Sequence, residues 1–243
     1  PRWVHQYCYN ILTGKIPACK EVKAACTRHV NDLINGEDRN LYFCEDSADH
    51  AISFFSTFLE HVEGEYAGTP IFLLPWQQFI VGSLFGWLQN RKGQWLRRFT
   101  RSYCEVPRKN GKSTLSAGIG LYMLIADGED GAQVYSAASS QAQARAVFNP
   151  AATMTNRSPE LSNALHVTKH YVAINGTTSV FKPLAANADK LDGLNVHCAL
   201  IDELHAHKDS KVYDVLETGT GARLQPLITS ITTAGLTKDT PYF

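Results

Sequence analysis

The sequence lacks a net charge, a C-x-x-C pair and a long apolar run. Basic and acidic residues number 23 each in a chain of 243 residues, so no strong overall field attracts the chain to nucleic acid, although a local basic patch stays compatible with that balance. The six cysteines are scattered, which argues against a zinc site and leads us to expect reduced, mostly buried thiols of an intracellular protein. With no signal peptide and no run of eighteen apolar residues, we expect neither secretion nor a membrane span.

Internal repeats and low-complexity linkers are also missing. The composition, with 44% hydrophobic and 19% charged residues, is that of an ordinary globular protein with a sizeable core. Residues 1–62 carry two stretches with helical apolar spacing and are expected to form an N-terminal helical segment packed on a core over 63–243. In the first stretch, the predicted packing face includes Val22, Cys26, Val30 and Leu33.

From residue 64 onwards, apolar strands alternate with helices. "IFLLPWQQFIVGSLFGW" predicts a strand, a break at Pro75 and a helix, and "QNRKGQ" is a polar break. The expected strands that follow are Phe99–Val106, Gln133–Ser136, Ser179–Leu184, His197–Asp202 and Leu227–Thr232, with helices Lys112–Ala126, Ser140–Thr153 and Lys211–Glu217. This alternation predicts an α/β fold with a mainly parallel central sheet flanked by helices.

The stretch "EVPRKNGKSTLS" resembles a phosphate-binding P-loop without its leading glycine. Gly111, Lys112 and Ser113 match the second half of G-x-x-x-x-G-K-[ST], while Val106 stands where the first glycine is expected. A β-prone segment precedes the loop and an amphipathic helix follows, so the backbone N–H groups of Asn110 to Ser113 would face phosphates. Lys112 would reach the β- and γ-phosphates and the Ser113 hydroxyl a Mg²⁺ ion. The alternative is a lysine-rich surface loop.

Two further strand ends carry residues suited to nucleotide hydrolysis. The strand in "HCALIDELHAH" ends in Asp202 and Glu203, of which the first would help to hold hydrated Mg²⁺ and the second would activate the attacking water. The strand in "LITSITTAG" ends in Thr232 and Thr233, whose hydroxyls could sense the γ-phosphate. Alternatively, these threonines simply reflect a high strand propensity.

The ordered set of these motifs resembles the ATPase domain of the large terminase subunit of tailed double-stranded DNA bacteriophages. The matching segments cover about residues 47–237 and are "LLPWQQFIVGSLFGW", "VPRKNGKS", "VYSAASSQAQARAVF", "LDGLNVHCALIDELHAH", "LETGTGARLQPL" and "ITTAG". The resemblance implies a P-loop NTPase of the ASCE (RecA-like) type that uses ATP and Mg²⁺. It also accounts for the missing glycine, since this family often has an arginine four residues before the P-loop lysine, here Arg108.

The resemblance implies several further site residues. Gln77 would recognise adenine, with Trp76 or Phe79 supporting the base, although these aromatics could equally be core residues. Thr232 and Thr233 fall in the coupling motif, which transmits loss of the γ-phosphate. The loop residues expected to contact nucleotide are Pro107, Arg108, Lys109, Asn110, Gly111, Lys112, Ser113 and Thr114. Arg108 could hold a phosphate by two charge-assisted hydrogen bonds, or it could be solvated.

A ring motor also needs a cation supplied across a subunit interface to stabilise the transition state. Arg223 is the favoured candidate for this cation and Lys190 is the other. The Lys190 candidate is in doubt because Asp192 precedes Gly193, where many terminases have an arginine before the glycine.

The roles of two other groups of residues stay open. His205, His207 and Asp209 are expected to be loop or interface residues rather than metal ligands; Arg91, Lys92, Arg97, Arg98 and Arg101 form either a DNA-contacting patch or a solvated face.

The function implied by the resemblance is ATP hydrolysis that drives double-stranded DNA into a procapsid. The expected partners are double-stranded DNA, the portal protein, the small terminase subunit and further copies of the chain in a ring, all in the host cytoplasm. The family's nuclease domain is expected to be absent from this chain. The alternatives are a helicase-like ASCE ATPase, which would need two RecA-like domains, and a non-hydrolysing nucleotide-binding module, which would not need both Lys112 and Glu203.

Overall fold

The computed structural model describes residues 2–184, 193–207 and 209–234 and divides into two compact units. Unit 1 consists of Pro1–Thr57 and Ile71–Phe99, and unit 2 consists of Phe58–Pro70 and Thr100–Phe243. The expectation of a helical segment over 1–62 and an ATPase core over 63–243 stays a prediction. None of the helices among the described residues is both long and apolar enough to cross a bilayer.

Unit 1 combines helices with a small antiparallel sheet. Its helices are α1 (Arg2–Leu12), α2 (Lys20–Asn35), α3 (Glu45–Phe58) and α4 (Pro75–Gly86), and its strands are β1 (Leu41–Phe43), β2 (Trp87–Arg91) and β3 (Gln94–Arg97). The strands pair in the order β1-β2-β3. The prediction of helices near the N-terminus is confirmed, and the sheet is an addition that the sequence analysis did not foresee.

Two sequence predictions in unit 1 were wrong. No strand forms over residues 71–74, where buried Ile71 and Leu73 lead directly into α4, which has Pro75 in its first turn. The polar "QNRKGQ" stretch is instead a β-hairpin, because Lys92 and Gly93 both adopt positive φ angles, 53° and 88°, as a two-residue hairpin turn requires. Its half-exposed strands carry too few apolar residues for a strand signal in the sequence.

The inward face of α2 is more polar than its spacing predicts. Leu33 is 45% exposed, whereas Cys26, His29 and Asp32 are buried. The Asp32 carboxylate accepts hydrogen bonds from Arg39 Nη1 at 2.6 Å and from Arg98 Nη1 at 2.5 Å. A buried carboxylate needs such pairing to offset its desolvation.

Unit 2 is built around a seven-stranded sheet within the described residues. Its strands are β4 (Arg101–Glu105), β5 (Gln133–Ala137), β6 (Leu165–Val167), β7 (Val172–Ile174), β8 (Val180–Leu184), β9 (Cys198–Asp202) and β10 (Leu227–Thr232), and its helices are α5 (Lys112–Ile125), α6 (Gln141–Arg157), α7 (Pro159–Ala164) and α8 (Lys211–Thr218). The strand order is β4-β10-β9-β5-β8-β7-β6, of which the first five are parallel. This confirms the predicted mainly parallel α/β sheet.

Helices cover both faces of this sheet. On one face, Phe148 of α6 meets Phe181 of β8 edge-on at 5.7 Å, and a Cβ at Gly120 of α5 would lie only 2.8 Å from Leu200 Cδ1. Val212 and Leu216 of α8 join a core cluster that contains alternate residues of β5, β9 and β10. Because β4, β5, β9 and β10 run parallel, the segments that follow them meet at one edge of the sheet, where ligands bind in open α/β folds.

Candidate active site

The loop between β4 and α5 presents its backbone to the carboxyl edge of the sheet. Gly111 has φ 71° and directly precedes α5, a helix of 14 residues. The first N–H groups of a helix have no acceptor within the helix, and Gly111 provides no side-chain cap for them here. Lys109 also has a positive φ, 63°, and the side-chain Nδ2 of Asn110 donates to the carbonyls of Pro107 and Arg108, both at 3.2 Å. This loop conformation, held by the Asn110 side chain, suits the binding of an anion such as a phosphate.

The side chain of Lys112 folds back under this loop. Its Nζ lies 3.4 Å from the carbonyl oxygens of both Val106 and Pro107, and the residue is only 8% exposed. These contacts are long for hydrogen bonds to an ammonium group. The charge is therefore held near the loop by weak contacts, which a phosphate oxygen could replace.

A cavity of about 430 Å³ adjoins the loop and brings most of the predicted residues together. Its lining consists of Arg108, Lys109, Gly111, Lys112, Ser113, Thr114, Gln143, Glu203, His205 and Ala206. Gln143 was not singled out in the sequence analysis; it belongs to the first turn of α6, and its Oε1 accepts from Ser139 and Ser140 at 2.5 and 3.2 Å. The P-loop and the residue predicted to activate water thus face the same space.

The acidic pair ends the fully buried strand β9. Asp202 is 5% exposed, and its Oδ1 accepts the Glu203 N–H at 3.0 Å. Burial, with the nearby Glu203 charge as a second cause, raises the pKa of Asp202 to about 6, while Lys112 acts in the opposite direction. Glu203 itself has φ 49° and ψ 52°, a left-handed conformation that costs about 1–3 kcal/mol in a non-glycine residue. Such strain is typical of functional sites.

The end of β10 contacts both the segment that follows β4 and Glu203, the predicted catalytic residue. The Val106 N–H donates to the Thr232 carbonyl at 2.9 Å, which extends the pairing of β4 with β10 to the beginning of the loop. Thr233 Oγ1 lies 3.3 Å and its backbone N 3.5 Å from Glu203 Oε2. The predicted coupling residues therefore lie between the P-loop and Glu203.

His205, expected from the sequence to be a loop or interface residue, has contacts in the site that the sequence did not predict. Its Nδ1 lies 2.7 Å from Thr232 Oγ1 and 3.1 Å from Glu203 Oε2. It borders both the first cavity and a second one of about 510 Å³, which is lined by Glu105, Val106, Pro107, Arg108, His205, Thr233 and Ala234. In the sequence, the one indication of these contacts was the position of His205 two residues after Glu203. That position does not by itself predict a contact with Thr232.

The described residues contain no cluster of three or more His, Cys, Asp or Glu residues that could hold a metal by protein ligands alone. The oxygen donors of Ser113 and Asp202 nevertheless fit Mg²⁺, which prefers oxygen and commonly takes only one or two protein ligands beside phosphates and water.

His207 is 5% exposed, and burial lowers its pKa below the usual histidine range. It is thus a buried residue in the loop after β9.

Gln77 and Trp76 lie at the start of α4 in unit 1. Gln77 is 8% exposed, and its Oε1 accepts the Leu74 N–H at 2.8 Å, so part of its amide caps the helix. Phe79 is a core residue, 8% exposed, with its ring 5.2 Å from that of Tyr7. Adenine recognition by Gln77 and Trp76 stays a prediction.

Arg223 is held by its own chain and does not line either cavity. Its Nη1 lies 2.5 Å from Glu129 Oε1, its Nη2 donates to the Gly131 carbonyl at 2.6 Å, and its Nε donates to Asn195 Oδ1 at 2.8 Å. With the side chain 9% exposed, this arrangement does not favour the predicted role across a subunit interface. The other candidate, Lys190, and Asp192 lie outside the described residues.

The predicted basic patch is divided among internal pairs. Arg98 binds Asp32, Arg97 is 3% exposed and stacks over Phe85 at 5.3 Å, and Arg101 pairs with Glu217. Arg97 and Arg98 of unit 1 are thus engaged within their own unit, whereas the Arg101 side chain in unit 2 is 64% exposed. Contact between these basic residues and DNA stays a prediction.

Comparisons with known proteins identify the family of the chain. A family model described as the terminase large subunit, ATPase domain, matches residues 75–242. The large terminase subunit of Enterobacteria phage HK97 is 30% identical over 191 residues, which make up 76% of this chain and 36% of that protein. Protein YmfN of Escherichia coli K12 is 46% identical over 52 residues, or 21% of this chain and 11% of that protein.

A solved structure shows the same fold. The crystal structure of the HK97 bacteriophage large terminase matches with a TM-score of 0.64 and 27% identity, over 76% of this chain and 37% of that one. The chain thus spans only about a third of the length of the HK97 protein that it matches.

Proposed function

Because the chain belongs to the large terminase subunit family and matches its ATPase domain, we propose that it hydrolyses ATP to drive double-stranded viral DNA into a procapsid. The observation that carries this proposal is the convergence of Lys112, Glu203 and Thr233 at one edge of the sheet. A cavity that contains both a phosphate-binding loop and a carboxylate for water activation supports hydrolysis rather than nucleotide binding alone.

Each side chain receives a role from its place in the site. The first turn of α5 and Lys112 bind the phosphates, and Arg108, exposed at the border of both cavities, adds a bidentate contact. Glu203 orients the attacking water and accepts its proton. Ser113 and Asp202 would hold Mg²⁺, which neutralises charge on the phosphate oxygens.

Thr232 and Thr233 would couple hydrolysis to movement. They join the P-loop through the Val106–Thr232 hydrogen bond and join Glu203 through the Thr233 side chain. Loss of the γ-phosphate would alter the contacts of Glu203 and thereby shift the end of β10. Gln77 and Trp76 would select adenine.

The proposed partners follow from the family and not from a surface identified on this chain. They are double-stranded DNA, the portal protein, the small terminase subunit and other copies of the chain in a ring at the procapsid, within the host cytoplasm. The residue that supplies the cation across a subunit interface is not assigned. Absence of nuclease activity from this chain stays a prediction.

Measurements of nucleotide binding and ATP hydrolysis test the proposal. Lys112→Ala should lose both, whereas Glu203→Gln should bind ATP normally and hydrolyse it at least about 100-fold more slowly, because the general base is missing. Lys182→Ala, which changes the exposed residue of β8, is the matched control and should retain both properties. Equal hydrolysis rates in all four proteins would contradict the assignment.

The same proteins separate the alternative functions. ATP binding without hydrolysis by the wild type, with DNA and procapsids present, would indicate a nucleotide-binding module. ATP-dependent strand separation would indicate a helicase-like motor. Packaging is measured as ATP-dependent protection of double-stranded DNA from an added nuclease, and it should disappear in Glu203→Gln.

A further inference from the structure

His205 lies at the junction between the acidic pair and the end of β10. Its ring is partly exposed, with 22% of the side chain accessible, and it borders both cavities. Its Nδ1 lies 3.1 Å from Glu203 Oε2, the same oxygen that accepts a hydrogen bond from Thr233 Oγ1 at 3.3 Å. The imidazole and the Thr233 hydroxyl therefore flank this carboxylate oxygen together.

The surrounding hydrogen bonds favour one position for the ring proton of His205. Thr232 Oγ1 has a single proton, and it lies 3.0 Å from the Thr233 carbonyl as a donor. With that proton directed at the carbonyl, Thr232 Oγ1 is the acceptor in its 2.7 Å contact with His205 Nδ1, as it is towards the His205 backbone N–H at 3.3 Å. In this arrangement His205 Nδ1 donates its proton to Thr232 Oγ1, and Glu203 Oε2 lies 3.1 Å from the same nitrogen.

This arrangement connects two parallel strands through their side chains. Glu203 follows β9, Thr232 ends β10, and His205 Nδ1 bridges them. The left-handed backbone at Glu203 does not by itself fix its longer side chain, which has several rotatable bonds. A donor held by the short helical turn Leu204–Ala206 limits the carboxylate to positions near the end of β10.

We propose that His205 is a positioning residue that holds the Glu203 carboxylate against the end of β10, so that the rate of ATP hydrolysis depends on the position of Thr232. The proposal rests on the hydrolytic function proposed above. His205 does not take part in proton transfer; it acts through Glu203. The described hydrogen bonds of its side chain go to Thr232, and Glu203 is the nearest carboxylate described, so its main effect should be on the orientation of Glu203.

Substitutions that keep or remove the Nδ1 donor test this role. His205→Ala should lower kcat by about 10- to 100-fold, with KM and the Kd for ATP changed less than about 3-fold, because orientation of the base is lost while phosphate binding remains. His205→Asn places an amide N–H near the Nδ1 position and should recover kcat to within about 5-fold. His205→Gln, whose amide corresponds to Nε2, should remain as slow as His205→Ala.

The control is His170→Ala, an exposed histidine of the same unit in the turn between β6 and β7, and it should behave as the wild type. A kcat of His205→Ala equal to the wild type would overturn the proposal. So would an equal loss in His205→Asn and His205→Ala, because a purely structural requirement for the imidazole ring would produce that result.

A double-mutant cycle tests the connection to β10. Thr232→Val keeps the shape of this fully buried side chain but removes its oxygen. If His205 acts through Thr232, the double variant should lose much less kcat than the product of the fold losses in His205→Ala and Thr232→Val. Multiplicative losses would show that the two residues act independently and would contradict the proposed link.

Nitrogen NMR of the His205 ring provides a readout that does not depend on hydrolysis. Without nucleotide, the proton should be on Nδ1, and Glu203→Gln and Thr232→Val should each shift the Nδ1 resonance. A lone pair on Nδ1, or resonances unchanged in both variants, would overturn the proposed contacts. If the wild type and the Lys112→Ala variant both fail to bind or hydrolyse ATP, the proposed function fails, and the NMR result still decides the position of His205.

Discussion

Arg223 Nη1 lies 2.5 Å from Glu129 Oε1, in a contact that joins the segment before β10 to the loop between α5 and β5. Two carbonyls of the same loop, those of Asp130 and Gly131, accept from the guanidinium at 3.1 and 2.6 Å. An arginine with this many fixed acceptors stabilises its own chain. A residue that reaches into a neighbouring subunit would instead need a guanidinium free to leave its contacts.

We therefore expect Arg223→Ala to destabilise the chain by about 2–4 kcal/mol, because a charged hydrogen-bond network that is largely buried loses its donor. Chemical unfolding followed by circular dichroism measures this change. Tryptophan fluorescence is a poor probe here, since all four tryptophans precede residue 100. The control is Lys182→Ala, with an expected change within about 0.5 kcal/mol. Unchanged stability together with lost hydrolysis would instead support a role for Arg223 across a subunit interface.

Thr233→Val should lower kcat by about 10-fold and leave the KM for ATP within about 2-fold. The substitution removes the hydroxyl that lies 3.3 Å from Glu203 Oε2 and so loosens the carboxylate without touching the P-loop. Thr233→Ser keeps the hydroxyl and should remain within about 2-fold of the wild type. Steady-state kinetics decides the matter, and a Thr233→Val enzyme as fast as the wild type would show that this hydroxyl does not assist Glu203.

Arg108→Ala should raise the Kd for ATP by about 10-fold, because a charge-assisted hydrogen bond to phosphate contributes at least about 1.5 kcal/mol. Arg108→Lys should recover only part of this affinity, since an ammonium group cannot form the bidentate contact. Equilibrium titration with a fluorescent ATP analogue measures both constants. If Arg108 contacts only water, the affinity of Arg108→Ala will equal that of Lys182→Ala and the wild type.

The stability of unit 1 should decrease in acid because of His29. Burial, followed by the nearby His5, lowers the pKa of His29 to about 4, while Asp32 opposes this shift. Its Nδ1 accepts the Trp87 indole N–H at 3.0 Å, a bond that protonation would break. Since the unfolded chain takes up this proton near pH 6.5, stability should be complete above that pH and should fall by roughly 2–3 kcal/mol as the pH drops towards 4.

Urea unfolding followed by tryptophan fluorescence, at pH 7 and pH 4.5, measures this dependence. His29→Asn should be less stable at pH 7 and should lose most of the difference between the two pH values. His50→Ala, which removes an exposed histidine of α3, should keep the wild-type pH dependence. The same pH dependence in wild type and His29→Asn would mean that other groups cause it.

The order of the five parallel strands of unit 2, and of α5, α6 and α8 beside them, could be predicted because its signals are local, whereas the short elements α7, β6 and β7 were not foreseen. A buried parallel strand is a short apolar run, and its helix follows within a few residues, so β4, β9 and β10 were recognisable individually. Parallel strands also share one direction, which predicts that Lys112, Glu203 and Thr233 meet at the same edge. The sequence alone therefore places the phosphate loop, the acidic pair and the two threonines at one edge of the sheet.

Tertiary structure alone decided the partners of the polar residues. Nothing within a few residues of His205 predicts that its Nδ1 lies 2.7 Å from Thr232 Oγ1, because that contact depends on β9 and β10 being neighbours in the sheet. Likewise, Arg223 finds Glu129 across 94 positions of the chain. The sequence by itself determined which chemistry the site offers, since backbone geometry and strand direction follow local rules. The fold decided which side chains restrain that chemistry, because hydrogen bonds between distant residues exist only after the sheet has formed.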